Sequence, residues 1–311
     1  MPLLEIIGLN KSYHKKRVVS DLSLELHSGE IMGLIGQNGS GKTTIFKAIL
    51  GLVKKDSGLI KINGKSIEEN SKKYLNTIGT IIEYPTFYES LTASQNLMLF
   101  SSLYDDINVS KADVLKYLYW VGLENDVNSK VSSFSLGMKQ RLGLAQALIH
   151  KPTILLLDEP FNGLDPRGMK DFRELLSQLS QDGVGIIISS HSLEELNKLV
   201  DTVTIINQGQ VIFQGQKSEF LSLGSRNNMW LLKTDNKEIT RSILNQLAIN
   251  FSEKDELFEL SLSIEKTEDM KEKLLKNLLQ QSVSIINFSQ KQDNFEDIFL
   301  NMQTDTEVEY D

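Results

Sequence analysis

Apolar and polar residues alternate over Leu4-Glu5-Ile6-Ile7 and again over Leu22-Ser23-Leu24-Glu25-Leu26, which predicts half-buried strands. Ser28-Gly29 interrupts the alternation, and the apolar run Ile31 to Ile35 reads as a fully buried strand. A glycine-rich turn follows, then a helical segment from Lys42 to Leu50. Leu59 to Ile62 and Lys65 to Ile67 flank Asn63-Gly64, the pair that favours a type I′ hairpin turn. From about 88 to 150 the pattern is helical, with Leu115, Leu118 and Tyr119 on one face and Leu142, Leu144, Ala147 and Leu148 on another. A parallel-sheet rhythm then appears: strand Thr153 to Leu157, helix Met169 to Leu179, strand Val184 to Ser189, helix Leu193 to Leu199. Val203 to Ile206, Gln208-Gly209 and Gln210 to Phe213 predict a second hairpin.

After Gly215 the texture changes. Strands are expected at Met229 to Leu232, Leu257 to Leu262 and Val283 to Phe288, with helices near 238–248 and 267–280. Met270, Leu274 and Leu278 give the second helix an apolar stripe. The expected organisation is an α/β domain over 1–215, with a helical subdomain about 88–150, and a small α+β domain over 216–311. Its first part combines a mixed sheet core with an N-terminal antiparallel subdomain.

Length and composition agree with this division. At 311 residues, 40% hydrophobic and 24% charged, the chain can bury an ordinary core. It has no cysteine, which excludes disulfides, thiolate metal sites and thiol nucleophiles. Seven of the acids that make the net charge −8 lie between Gln292 and Asp311, where there is no Lys or Arg. The remainder is almost neutral, without the basic footprint that nucleic acid requires. The acidic end itself reads as a solvated, frayed terminus. Met1 to Glu5 has neither the basic nor the apolar region of a leader, and no apolar run approaches the roughly 20 residues that span a bilayer.

The chemistry lies in three motifs. Gly36-Gln37-Asn38-Gly39-Ser40-Gly41-Lys42-Thr43 fits G-x-x-x-x-G-K-[ST] between a predicted strand and a predicted helix. Glycines let successive N–H groups turn toward phosphate oxygens, and the helix start adds partial positive charge. Gly36, Asn38, Gly39, Ser40, Gly41, Lys42, Thr43 and Thr44 are therefore candidate nucleotide contacts. Lys42 neutralises the β- and γ-phosphates, and Thr43 holds Mg²⁺ through its hydroxyl. Ile154 to Leu157 ends in Asp158-Glu159, with Asp158 placed to hold Mg²⁺ and Glu159 to polarise an attacking water. The third motif is Phe134-Ser135-Leu136-Gly137-Met138-Lys139-Gln140-Arg141, which opens an apolar helix. Read alone, Ser135 is a helix N-cap.

In this order the motifs resemble those of the ATP-binding subunits of ABC transporters, whose signature usually reads LSGGQ. Ser135 and Gly137 match it, and Leu136 and Met138 depart from it. The resemblance extends to a D-loop at Asn162-Gly163-Leu164-Asp165, a switch histidine at His191 and an adenine-stacking aromatic at Tyr13, which by itself is a strand aromatic. Glu83, in Ile81-Ile82-Glu83-Tyr84-Pro85, stands where most of that family has glutamine near Mg²⁺ and the attacking water. Glu83, Phe87 to Thr92, the signature variant and the segment Asn294 to Leu300 resemble the bacitracin-resistance and lantibiotic-immunity branch.

The resemblance implies an ATPase using ATP and Mg²⁺, with Glu159 as base and His191 and Lys42 acting on phosphate charge. It implies a head-to-tail dimer of two copies, each ATP held between Gly36–Thr43 of one and Ser135–Gly137 of the other. It also implies a separate transmembrane permease, a place on the cytoplasmic face of the membrane, and export of a peptide antibiotic or similar amphipathic compound. Two other readings stand beside it. One is a soluble ABC ATPase of DNA repair or ribosomes, for which the chain lacks a long heptad insertion or a second cassette. The other is a regulatory module whose C-terminal part does the work.

Overall fold

In the computed structural model, which describes residues 1–14, 16–69, 72–104, 108–224, 229–262, 267–291 and 294–308, the alternating N-terminal stretches form β1 (Leu4–Tyr13) and β2 (Lys16–Leu26). They join β4 (Ser57–Ile62) and β5 (Lys65–Ser66) in an antiparallel sheet of order β2-β1-β4-β5. The hairpin turn has positive φ at both Asn63 (50°) and Gly64 (76°), as a type I′ turn requires.

A second sheet has order β10-β9-β3-β8-β7-β6, built from β3 (Ile31–Ile35), β6 (Ile78–Ile81), β7 (Ile154–Asp158), β8 (Gly185–Ser189), β9 (Thr202–Asn207) and β10 (Gln210–Gln216). All neighbours are parallel except the edge strand β10, which returns from β9 through Gln208-Gly209. Every residue of β3, β7 and β8 is buried, because a parallel sheet is covered on both faces and its strands read as continuous apolar runs. The helices are α1 (Lys42–Ile49), α2 (Ala93–Ser101), α3 (Lys111–Trp120), α4 (Leu136–Leu148), α5 (Pro166–Gln181) and α6 (Leu193–Asn197). One core of this unit joins Leu4, Ile6 and Leu24 of the antiparallel sheet to Phe46 and Ile49 of α1 and Leu156 and Ile187 of the parallel sheet.

On α4 the expected apolar residues Leu142, Leu144, Ala147 and Leu148 are buried. On α3 the face that carries Leu115, Leu118 and Tyr119 is not the buried one. Leu118 is buried, but Leu115 (50% exposed) and Tyr119 (68%) point outward, and Val114 and Tyr117 take their place. With apolar or aromatic residues on most sides of this short helix, periodicity does not choose between adjacent stripes.

The chain divides into two units, Met1–Lys217 and Ser218–Asp311. The second contains β11 (Met229–Thr234), α8 (Lys237–Gln246), β12 (Asn250–Lys254), β13 (Leu257–Ser261), α9 (Thr267–Gln280) and β14 (Ile285–Gln290), after the short helix α7 (Lys217–Gly224). Its sheet order, β12-β13-β11-β14, is antiparallel throughout, a split β-α-β arrangement. Leu274 and Leu278 pack with Leu232, Phe258 and Leu260 in its core.

Of the acidic end, Gln292, Asp293, Glu309, Tyr310 and Asp311 lie outside the described residues. The expectation of a frayed terminus fails before that point, because Phe295–Val308 forms helix α10. Asn294 caps it, accepting from the N–H groups of Glu296 and Asp297 at 2.9 Å, and Asp297 answers from its side chain to the Asn294 N–H at 3.2 Å. Phe295, Ile298 and Phe299 are buried along one face, and the Phe295 ring packs 4.7 Å from that of Phe220.

Candidate functional site

Four neighbouring parallel strands, β3, β8, β7 and β6, end on the same side of the sheet, and the loops beyond them carry most of the candidate residues. Clefts at the carboxyl ends of such strands are where α/β folds bind ligands.

Beyond β3 the chain curls through Gly36 to Gly41 into α1. Gly41 has φ of 112°, and a Cβ there would meet the Val18 carbonyl oxygen at 2.7 Å, so only glycine makes this turn. The curl brings the Lys42 ammonium to the carbonyls of Gly36 (2.5 Å) and Gln37 (3.1 Å). Burial pushes the Lys42 amine below its ordinary value, while Glu159 and Asp158 pull the other way. Ser40 Oγ is buried and has no hydrogen-bond partner, an orphaned group inside the loop.

Beyond β7, Asp158 is buried with both oxygens taken by hydroxyls. Thr43 donates to Oδ2 at 2.7 Å, and Ser189 donates to Oδ1. The β7–β8 register creates the second contact, since Asp158 lies directly opposite Ser189. Glu159 follows in a left-handed conformation, φ 51°, its N–H donating to the Ser189 carbonyl at 3.0 Å. That turn is unfavourable for a non-glycine residue, by about 1–3 kcal/mol, and it aims the carboxylate into the cleft. Glu159 Oε2 accepts from the His191 N–H at 3.2 Å and lies 2.7 Å from the exposed His191 Nδ1. Beyond β6, Glu83 is also left-handed, φ 60°, and its Oε1 accepts from the Lys47 ammonium at 2.8 Å.

Between these loops lies an open cleft of about 320 Å³. Asn38, Gly39, Gly41, Lys42, Thr43, Thr44, Glu83, Asp158 and Glu159 line it. Val18, Tyr84, Gln140 and Asn162 line it too; the last three lie within the motifs read from the sequence but were not named as site residues, and Val18 lies outside those motifs. Lys47 and Ser189 were also missed as site residues. Ser189 stood beside the candidate His191 in the sequence, whereas nothing local marks Lys47.

Gly36, Ser40, His191, Tyr13, Ser135, Gly137 and Asp165 are not among the residues that line the cleft; Gly36 and Ser40 belong to the loop beside it, and His191 reaches it through Glu159. Tyr13 is at the end of β1, its ring under the Lys11 ammonium at 4.7 Å. Ser135 caps α4, its Oγ accepting from the Met138 N–H at 3.3 Å, and Asp165 caps α5, accepting from the Gly168 N–H at 2.9 Å. Signature and D-loop lie against each other: a Cβ on Gly137 would stand 2.9 Å from the Gly163 carbonyl oxygen.

The loop fits a phosphate chain: it offers a helix start, a lysine ammonium and the unsatisfied Ser40 hydroxyl. Thr43, Asp158 and Glu83 form an all-oxygen donor set suited to a hard cation. Among the described residues no group of three or more His, Cys, Asp or Glu could hold a metal ion. No helix among the described residues is long and apolar enough to cross a membrane.

A family model described as ABC transporter matches residues 19–162. The bacitracin transport ATP-binding protein of Bacillus licheniformis is 35% identical over 305 residues, covering 96% of this chain and 97% of that protein. The lantibiotic transport ATP-binding protein of Streptococcus pyogenes is 42% identical over 212 residues, 68% of this chain and 90% of that protein. A solved ATP-binding subunit of an ABC transporter matches with a TM-score of 0.65 at 32% identity, over 71% of this chain and 92% of the other.

Proposed function

Because the chain belongs to the ATP-binding subunits of ABC transporters and is an ATPase, we propose that it powers export of a peptide antibiotic or similar amphipathic compound through a separate permease, from the cytoplasmic face of the membrane. The observation that carries this reading is the meeting of Lys42, Thr43, Asp158, Glu159 and His191 at the ends of three adjacent parallel strands. The antibiotic cargo is supported by the similarity to the bacitracin relative along nearly the whole of both chains, and by Glu83.

ATP enters with its phosphates on the N–H groups of Gly39 to Thr43, and Lys42 leaves the two loop carbonyls to neutralise phosphate charge. Thr43, Asp158 and Glu83 are the residues that would hold Mg²⁺, which when bound supplies charge stabilisation to the transferring phosphoryl group. Glu159 takes the proton from the attacking water, and His191 holds that carboxylate in position by its N–H and ring. Ser135, Gly137 and Asp165 serve a second copy's nucleotide in a head-to-tail dimer. Ser135 Oγ accepts from Met138, which leaves its own proton to donate to a γ-phosphate oxygen.

Two experiments test this. The Glu159→Gln protein should shift from monomer to dimer on sizing only with Mg-ATP, and a species that stays monomeric at saturating ATP overturns the dimer. Wild-type chain expressed with its permease in a sensitive host should raise the inhibitory concentration of bacitracin or a lantibiotic, and the Glu159→Gln chain should not. Unchanged sensitivity to both compounds overturns the cargo.

A further inference from the structure

Lys47 lies one helical turn beyond Thr43 on α1, so the two side chains leave the same face of the helix. From there its ammonium reaches Glu83, 36 residues away in sequence, at 2.8 Å. The helix that begins at the phosphate loop is thus tied directly to the loop beyond β6. Asp158 and Tyr13 are the other titratable groups close enough to act on Lys47.

Three carboxylates border the cleft, and each is occupied differently. Asp158 accepts from two hydroxyls and Glu159 lies against His191, whereas Glu83 is held by a lysine ammonium. The Lys47 partner matters because residue 83 is an acid. A glutamine there would offer Lys47 a dipole, whereas a glutamate offers a full charge that the ammonium neutralises. A carboxylate oxygen accepting from an ammonium is also less available to a metal ion. Both partners are partly solvated, Lys47 at 34% and Glu83 at 65% of the side chain. Such a pair is weak enough to exchange, where a buried one would lock.

We propose that Lys47 is a positioning residue that masks the Glu83 carboxylate until a nucleotide-bound divalent cation draws it away. The masking keeps a three-carboxylate cleft from collecting cations without nucleotide, and it links arrival of the metal to release of the loop beyond β6. The inference rests on the reading that Glu83 faces the cation, and its test separates the two.

Mn²⁺ is the probe, its binding followed by electron paramagnetic resonance in the presence of a saturating non-hydrolysable ATP analogue, so that turnover plays no part. Wild type, Lys47→Met, Lys47→Arg, Glu83→Gln and the double variant Lys47→Met/Glu83→Gln are compared, with melting curves to check folding. Lys47→Met should bind Mn²⁺ about two- to fivefold more tightly than wild type, the range an exposed ion pair commands. Lys47→Arg should match wild type, and Lys47→Met should have a smaller effect in the Glu83→Gln background. Equal effects in both backgrounds overturn the mask, because Lys47 then acts only through its charge. No tightening by Lys47→Met, with Glu83→Gln still weakening Mn²⁺, overturns the mask and leaves Glu83 facing the metal. Unchanged Mn²⁺ affinity in Glu83→Gln overturns both.

Discussion

His191 touches a single oxygen of Glu159 twice, with its backbone N–H at 3.2 Å and its ring Nδ1 at 2.7 Å. A carboxylate held in this way is oriented before substrate arrives, while the exposed ring keeps room to meet phosphate. We expect His191→Ala to lower kcat by about 10²–10⁴-fold. ATP affinity measured by equilibrium binding should change by less than about threefold, since the contact serves the chemical step. A loss of affinity as large as the loss of turnover would place His191 in ground-state binding instead.

Lys42 spends its ammonium on two loop carbonyls, so its removal takes away both the phosphate's counter-charge and a tie across the loop. Lys42→Ala should weaken ATP binding by at least about tenfold, the scale of one charge-assisted hydrogen bond. Fluorescent-nucleotide titration checks it, and unchanged affinity would remove Lys42 from the binding machinery.

Gly79 of β6 packs closely against α4. A Cβ there would stand 2.1 Å from the Ala147 carbonyl oxygen and 2.7 Å from Leu155 Cδ2. Neither the helix backbone nor the buried strand can yield cheaply, so Gly79→Ala should destabilise the fold by about 1–3 kcal/mol or more. Urea unfolding measures this, and a midpoint equal to wild type would contradict the packing of β6 on α4.

His150 is buried, stacked on Tyr104 at 4.2 Å, with Nε2 3.0 Å from the Ile78 carbonyl oxygen and Nδ1 without a partner. Burial holds its pKa below the ordinary 6.5, opposed by the bond to Ile78. The folded state therefore keeps His150 neutral where the unfolded chain already binds a proton. Its contribution is complete above the unfolded value and is lost as pH falls below about 6.5 toward the folded one. His150→Phe retains the stack and loses the hydrogen bond, at about 1 kcal/mol. Its urea midpoint should vary less between about pH 5 and 6.5 than that of wild type. Equal slopes would show that other groups carry the acid sensitivity.

The glycine-rich turn between β3 and α1 was legible because its physics is local. Strand, glycine turn, lysine and helix start follow within a few residues, and no distant contact is needed to recognise them. Asp158-Glu159 was legible for the same reason, as a charged end to an apolar strand. The edge strand β12 was not. Its residues Asn250 to Lys254 are largely exposed and only Phe251 is half-buried, so it is held by main-chain pairing with β13 and leaves no alternation to read. The helix α10 was obscured by its acids, although Phe295, Ile298 and Phe299 already had helical spacing.

What the sequence alone determined, then, is the set of groups available: the glycine-rich loop with its lysine, the acids at a strand end, the apolar runs that become a parallel sheet. Tertiary structure decided which of them meet. Lys47 finds Glu83, Ser189 finds Asp158 and His191 finds Glu159 across 36, 31 and 32 residues of chain. Hydrogen bonds and ion pairs act over a few ångströms, and strand order and register bring those distances about. Residue pattern records which side of a strand is buried, and carries no record of which strand lies beside it.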